Sequence, residues 1–325
     1  MSQQWKPAYA TYAAGGLARA RNLFGQGTVT SVLAGLKSWP ESPVVQAEGC
    51  RLLGRLAASD DAAHQDALFL ADGALLLTRI LRAHAGSAGV QEWAIFALAN
   101  MAAGHEDNQR AIYTCGGIEV VLEAMRRPGP AAVQECGCAA LASMAGDSAA
   151  AQAILAAGGH RVVIAAITIR HDGDATDEEV LEKGCTAIAC LAAGSPLSQA
   201  AIYRVGGGEA LVAVLGAHLE HCRATYCDKG STLAACLALG NLVAGYSDGA
   251  RAVLSCGGVE SCLAVIQRYP DCEEIQERGC YLLYWLRDDD GAKARITRGG
   301  GNELLMAATA RFPDNAVLRV YADVS

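Results

Sequence analysis

One segment of this sequence returns six times along the chain. It starts with Val-Gln or a related pair, passes through small residues and ends in an apolar run, as in VQEWAIFALANMA and VQECGCAALASMA. Its starting residues are Val45, Val90, Val133, Val180, Ser231 and Ile275. These starts lie 43 to 51 residues apart, and a period of about 40–47 residues is typical of helical solenoids. The period therefore predicts an all-α chain whose units pack only on their neighbours.

Glycine and proline recur at similar positions relative to this segment. A glycine or glycine pair separates a short apolar segment from a longer one, and glycine permits a sharp turn without a Cβ penalty. The glycines are Gly73, Gly116-Gly117, Gly158-Gly159, Gly206–Gly208, Gly257-Gly258 and Gly299–Gly301. Proline recurs before the repeated segment, where it suits the start of a helix. These prolines are Pro40, Pro43, Pro128, Pro130, Pro270 and Pro313.

Together the three marks resemble the armadillo repeat, which has a short helix, a glycine turn, a second helix and a long third helix. The resemblance covers the chain from Leu17 onwards and implies a right-handed α-solenoid of armadillo-type three-helix repeats. We interpret residues 1–16 as an N-terminal cap and 17–325 as the solenoid. Its units are 17–60, 61–104, 105–146, 147–194, 195–245, 246–289 and 290–325. A HEAT-repeat solenoid is the alternative, but HEAT units lack the glycine turn between their first and second helices.

Charge and hydropathy exclude two classes of function. The net charge is −8, with 34 acidic and 26 basic residues, whereas a general nucleic-acid binder needs a basic stripe. No apolar run approaches the length of about 18 residues that predicts a membrane span. We therefore expect neither nucleic acid nor membrane as a partner, and the absence of a secretory signal favours a cytoplasmic location.

The thirteen cysteines favour a reducing compartment. Five of them occupy one repeat position, beside a glycine or alanine where helices must approach closely. They are Cys50, Cys138, Cys185, Cys236 and Cys280. Equivalent positions in adjacent units are about one helix-packing distance of 8–10 Å apart, which is too far for a disulfide. We expect these thiols to be reduced and buried.

The sequence indicates neither a catalytic nor a metal site. It has no P-loop and no GxSxG elbow. The insertion 171–179 lacks a calcium-loop glutamate at position twelve. His218, His221, Cys222 and Cys227 lack the paired spacings of a zinc site. We therefore predict no enzyme activity, no cofactor and no metal. Four glutamates are expected in the first turns of third helices, where they favour the helix dipole. They are Glu92, Glu135, Glu182 and Glu277.

The resemblance implies that the third helices line a concave binding face. Nuclear-import receptors of this family carry Trp and Asn four residues apart there, and the pair grips an extended basic peptide. The Trp-equivalent row is Arg51, Phe96, Ala139, Thr186, Leu237 and Tyr281. The Asn-equivalent row is Arg55, Asn100, Ser143, Cys190, Asn241 and Trp285. Only two asparagines match, so an import-type cargo receptor is the alternative to a non-catalytic scaffold or adaptor that binds other proteins.

The partner-binding residues of this face are predicted from the two rows. They are Arg51, Arg55, Phe96, Asn100, Asn241, Tyr281 and Trp285. We expect the two arginines to take an acidic or mixed-charge segment, because arginine forks onto carboxylates. Tyr281 and Trp285 are expected to be apolar anchors, and Tyr284 is expected to pack between helix layers.

The last unit ends in residues that we expect to be only partly covered. They are Val317, Leu318, Val320 and Tyr321. An uncovered solenoid layer invites stacking, so this end is predicted to make a second, end-to-end contact. The Ala/Gly/Arg-rich composition is similar to that of proteins from GC-rich protists and green algae, whose armadillo proteins often serve the cilium or cytoskeleton. By analogy, we expect the chain to be a subunit of such an assembly.

Overall fold

The computed structural model describes residue 24 and residues 27–59, 62–169, 176–221 and 229–322. The predicted cap, residues 1–16, lies outside them. All regular secondary structure in the described residues is helical, so the predicted all-α class is confirmed. The chain divides into two compact units, residues 1–157 and 158–325, and each is described by itself. The bounds predicted for the repeats stay a prediction.

The first unit consists of nine helices among its described residues. They are α1 (Val29–Ser38), α2 (Pro43–Ala57), α3 (Ala63–Leu70), α4 (Gly73–Ala83), α5 (Ala88–Ala102), α6 (Glu106–Thr114), α7 (Gly117–Arg126), α8 (Ala131–Met144) and α9 (Ser148–Ala156). The third helices of the repeats, α2, α5 and α8, pack side by side, and each packs on the second helix before it. Leu53, Leu98 and Leu141 are fully buried in these third helices.

The second unit follows the same order in its described residues. Its helices are α10 (Gly159–Thr168), α11 (Thr176–Ala192), α12 (Pro196–Tyr203), α13 (Gly207–His221), α14 (Gly230–Val243), α15 (Ser247–Ser255), α16 (Gly258–Arg268), α17 (Glu273–Leu286), α18 (Asp290–Arg298), α19 (Gly301–Arg311) and α20 (Ala316–Ala322). The third helices α11, α14, α17 and α20 form its ladder.

The two glycines of each pair have different physical roles. Gly116 has φ +79°, a left-handed conformation that side chains with a Cβ rarely adopt. Gly117 has ordinary dihedrals, but a Cβ there would lie 2.5 Å from Cγ2 and 2.8 Å from the carbonyl oxygen of Ile112. In the second repeat Asp72 takes the left-handed position with φ 55°, which aspartate tolerates better than most residues. The first glycine therefore turns the chain, and the second lets the helices meet.

The glutamine of the Val-Gln pair caps the C-terminal end of the preceding second helix. Gln91 Nε2 donates to the carbonyl oxygens of Leu81 at 2.9 Å and His84 at 3.1 Å. Gln46 and Gln276 make the same pair of bonds to their own preceding helices. The last carbonyls of a helix have no partner within it, so these buried amides complete the hydrogen bonding. The recurrent glutamine is therefore structural.

No single described helix is both long and apolar enough to cross a membrane. Three pairs of consecutive helices satisfy the length and composition test only when joined, and they bend by 73°, 70° and 75° at their glycine turns.

The five cysteines predicted to be buried are all buried, which confirms that part of the prediction, and none of them forms a disulfide. The small residue beside them receives a second helix, since a Cβ on Gly137 would lie 2.5 Å from Cγ of Met125. Burial raises the pKa of Cys138, Cys236 and Cys280 to about 12. The thiolate is the reactive form of cysteine, so these residues are expected to be inert in the folded protein.

Replacement of Gln91 by alanine should lower the free energy of unfolding by about 1–3 kcal/mol, because the carbonyls of Leu81 and His84 each lose a side-chain donor. Urea denaturation followed by circular dichroism measures the change. Gln152→Ala is the matched control, because Gln152 is exposed on α9 and such substitutions change stability by about 0.5 kcal/mol or less. Equal stability of the two variants would show that the Gln91 bonds contribute nothing.

Thiol labelling of the native protein should distinguish the buried cysteines from the half-buried Cys115, Cys190 and Cys256. We expect the five buried thiols to react slowly with iodoacetamide, the three half-buried ones to react faster, and all of them to react quickly in urea. Peptide mass spectrometry gives each rate separately. Native labelling of Cys138 or Cys236 at the unfolded rate would contradict the structure.

Candidate protein-binding surfaces

Arg51 is already paired within the first unit. It donates from Nε to Glu48 Oε2 at 2.8 Å and from Nη2 to Glu48 Oε1 at 2.5 Å. Only 4% of the Glu48 side chain is exposed, and its hydrogen bond raises the pKa of Arg51. A partner carboxylate would have to compete with Glu48, whereas Arg55, one turn later, is exposed. The predicted contact with an acidic segment stays a prediction, with Arg55 as the accessible cation.

Phe96 and Tyr281 occupy the same repeat position in the two units and pack in the same way. Each ring lies on a glycine of the preceding third helix. A Cβ on Gly54 would be 2.4 Å from Cδ1 of Phe96, and a Cβ on Gly240 would be 2.5 Å from Cδ1 of Tyr281. Both rings remain half-buried. The two side chains therefore join neighbouring helices and also leave part of each ring at the surface.

Trp93 completes an aromatic pair on α5. Its ring meets that of Phe96 edge to face, with centroids 5.7 Å apart and planes at 89°. Aromatic pairs prefer this arrangement, and both side chains are half-buried. Trp93 is absent from the predicted site, although its spacing of three residues from Phe96 places both on one helix face.

The two predicted asparagines are both engaged inside their own unit. Asn100 Nδ2 donates to the carbonyl oxygen of Phe96 at 3.0 Å. Asn241 Nδ2 donates to Ala189 O at 3.0 Å, and its Oδ1 accepts from the Tyr281 hydroxyl at 3.0 Å. Asn241 thus links three consecutive third helices, and each of the two amides already uses one N–H group within its own unit.

Four aromatic rings form a cluster at the C-terminal end of the second unit. Tyr281, Tyr284, Trp285 and Tyr321 are linked in a cycle with centroid separations of 5.2 to 6.5 Å. Arg287 lies 4.1 Å above the Tyr284 ring. The Trp285 indole N–H is buried and finds no acceptor among the described residues.

Tyr284 was expected to pack between helix layers. Its ring lies 5.4 Å from that of Tyr321 on the next third helix, α20. The side chain nevertheless stays half-buried, with Arg287 over its ring.

The expected position of four glutamates is wrong. Helix α5 begins at Ala88 and α8 at Ala131, so Glu92 and Glu135 lie in the second turns of their helices and not in the first. Glu182 in α11 and Glu277 in α17 likewise lie beyond the first turn. Glu92 and Phe96 are one turn apart and share a face of α5. Glu92 therefore belongs to the candidate surface beside Phe96, and Glu135 has the equivalent position on α8.

The end of the second unit partly matches its prediction. Val317 and Val320 are 46% and 61% exposed, but Leu318 is fully buried, so its expected partial exposure is wrong. Helix α20 is held against α17 because Asn315 Nδ2 donates to Glu273 at 2.9 Å and Glu277 at 3.2 Å. Leu318 lies on the buried side of this helix.

Among the described residues, no three His, Cys, Asp or Glu side chains are grouped to hold a metal ion. His218 Nε2 is 2.6 Å from the Tyr269 hydroxyl. Cys222, Cys227 and the side chain of His221 lie outside the described residues, as does most of the 171–179 insertion.

The sequence matches no protein-family model, and comparison with curated proteins also gives no match. Solved structures do match. An engineered protein from a structural genomics consortium aligns over 93% of this chain and 72% of its own, at 26% identity and a TM-score of 0.75. A designed armadillo repeat protein aligns over 76% and 95%, at 21% identity and a TM-score of 0.64.

A second designed armadillo repeat protein, solved in complex with the peptide (KR)4, aligns over 78% of this chain and 98% of its own. Its identity is 19% and its TM-score is 0.64. The helix order, the glycine turns and these matches lead to one conclusion. The chain has the armadillo-repeat fold, an all-α solenoid of three-helix repeats.

Proposed function

We propose that this chain is a non-catalytic interaction scaffold that binds a partner protein on the exposed faces of its third helices. The observation that carries the proposal is the half-exposure of aromatic side chains there: Trp93 and Phe96 in the first unit, and Tyr284 and Trp285 in the second. Aromatic side chains are the commonest interface anchors. Support also comes from similarity to designed armadillo proteins made for peptide recognition.

A nuclear-import type of cargo receptor is less well supported. Such a receptor grips the backbone of an extended peptide with a ladder of free asparagines. Here only Asn100 and Asn241 occupy the asparagine row, and both donate to carbonyls of their own unit. A scaffold that binds its partner through aromatic anchors does not need such a ladder.

The cellular setting belongs to the same proposal. We place the scaffold in the cytoplasm, as a subunit of a cytoskeletal or ciliary assembly. The cytoplasmic location has chemical support, because none of the eleven described cysteines forms a disulfide and reduced thiols suit a reducing compartment. The assembly is proposed by analogy of composition. Imaging of the tagged chain together with its purified partner tests the location.

The aromatic anchors can be tested by alanine substitution. A partner is first purified with the wild-type chain and then titrated against Phe96→Ala and Trp285→Ala. Each variant should bind at least about tenfold more weakly, or about 1.4 kcal/mol, because an anchor loses its buried area. Calorimetry gives the affinity, and circular dichroism checks that the helices remain.

Leu197→Ala is the control for these variants. Leu197 is 85% exposed, but it lies on the first helix α12 and not on a third helix. Its loss should leave binding unchanged. Weaker binding by Leu197→Ala together with unchanged binding by Phe96→Ala and Trp285→Ala would move the interface to another face of the solenoid.

We also propose the end-to-end contact, now between two copies of the chain through Val317 and Val320. Both valines are exposed on the last helix, and burial of apolar area drives association. Sedimentation velocity should show a concentration-dependent dimer for the wild type and a monomer for Val317→Glu with Val320→Glu. Arg319→Glu, an exposed change on the same helix, controls for added charge. A wild type that is monomeric at every concentration would contradict this contact.

A further inference from the structure

The α5–α8 surface, defined by Glu92, Trp93, Phe96, Glu135 and Ser143, is poor in the amide groups that hold an extended chain. Asn100 is the single amide in the asparagine row of the first unit, and its Nδ2 already donates to Phe96 O at 3.0 Å. Its neighbours in that row are Arg55 and Ser143. The second unit shows the same condition independently, because Asn241 is bonded on both sides.

The shortage of amide groups decides whether the surface favours an extended or a helical peptide. An extended peptide carries unpaired N–H and C=O groups, and burying them without partners is unfavourable. A helix satisfies its own backbone groups and needs only side-chain contacts from its binding surface. Recognition of an amphipathic helix in a groove works in this way, through anchors spaced at i, i+3, i+4 and i+7.

The sizes of the side chains on this surface suit contact with such a helix. Trp93 and Phe96 place two large, half-buried rings on α5. On the neighbouring helix α8, the positions equivalent to Phe96 and Asn100 carry the small residues Ala139 and Ser143, which are partly exposed. Large side chains beside small ones suit an apolar anchor that packs against the two rings.

The negative charge of the surface favours a partner with positively charged side chains. Glu92 is half-buried and makes no ion pair among the described residues, and burial raises its pKa. Glu135 lies in the same row on α8. Burial raises the pKa of the Cys136 thiol, and the Glu135 and Glu92 carboxylates add to that effect, which places both charges near Cys136. A cation from the partner would compensate the desolvated Glu92.

We infer that the α5–α8 surface binds an amphipathic helix with basic side chains, and not an extended peptide. The inference rests on the proposed function and specifies its partner. The apolar stripe of the helix contacts Trp93 and Phe96, while Lys or Arg side chains on its edges reach Glu92 and Glu135.

Three peptides test the inference against the full chain. The first is a lactam-stapled helix of about 15 residues with leucine at helical spacing and lysine elsewhere. The second has the same composition with leucine and lysine alternating, which favours an extended chain. The third is the extended basic peptide (KR)4. Fluorescence anisotropy should show that the stapled helix binds at least about tenfold more tightly than either extended peptide.

Charge-matched variants locate the binding. Glu92→Gln with Glu135→Gln should weaken binding of the stapled helix by at least about fivefold and reduce its salt dependence. Glu106→Gln with Asp107→Asn changes the net charge equally but on the exposed start of α6. This control variant should bind the peptide like the wild type.

Each contrary outcome has a distinct meaning. Tighter binding of the alternating peptide or (KR)4 than of the stapled helix would overturn this inference while leaving a protein-binding scaffold in place. Equal weakening by both double variants would overturn the assigned site. If the stapled helix fails to bind at about 1 mM, the inference is also wrong. The proposed function fails separately, if Phe96→Ala and Trp285→Ala leave the natural partner's affinity unchanged.

Discussion

The structure depends on satisfying the carbonyl groups at the ends of many short helices. A helix leaves its last four carbonyls without an internal partner, and a buried carbonyl without a hydrogen bond is strongly unfavourable. Glutamine side chains solve this problem repeatedly in both units. Gln46, Gln91 and Gln276 each reach back from a third helix to two carbonyls of the preceding second helix.

Glutamines on the first helices donate to carbonyls near the ends of the third helices in the same way. Gln109 Nε2 donates to Ala102 O at 2.9 Å at the end of α5, and Gln199 Nε2 donates to Asn241 O at 2.7 Å. These side chains join the helix ends to each other. From the sequence alone, such polar residues would be expected at the surface. The pattern explains why a polar residue recurs at positions that are almost completely buried.

The candidate surface arises from the same packing that builds the ladder. Phe96 and Tyr281 lie on glycines of neighbouring helices, so they stabilise the stack with one part of the ring and offer the rest to a partner. Arg51 and Asn241, in contrast, use their polar groups within the fold. On α5 of the first unit an aromatic pair lies beside a half-buried carboxylate, and this combination favours basic and apolar side chains over an extended backbone.

The sequence by itself determined the all-α repeat architecture, the glycine turns and the burial of five cysteines. These features depend on periodicity and on short-range sterics, which local residues carry. It did not determine the partner of Arg51, the two bonds of Asn241 or the position of Glu92 in the second turn of its helix. Those depend on where a helix begins to within a few residues and on side chains from other helices. Ala189 and Tyr281, for example, are far from Asn241 in sequence. Only the tertiary structure brings such groups within hydrogen-bonding distance, and it therefore decides which polar residues are left for a partner.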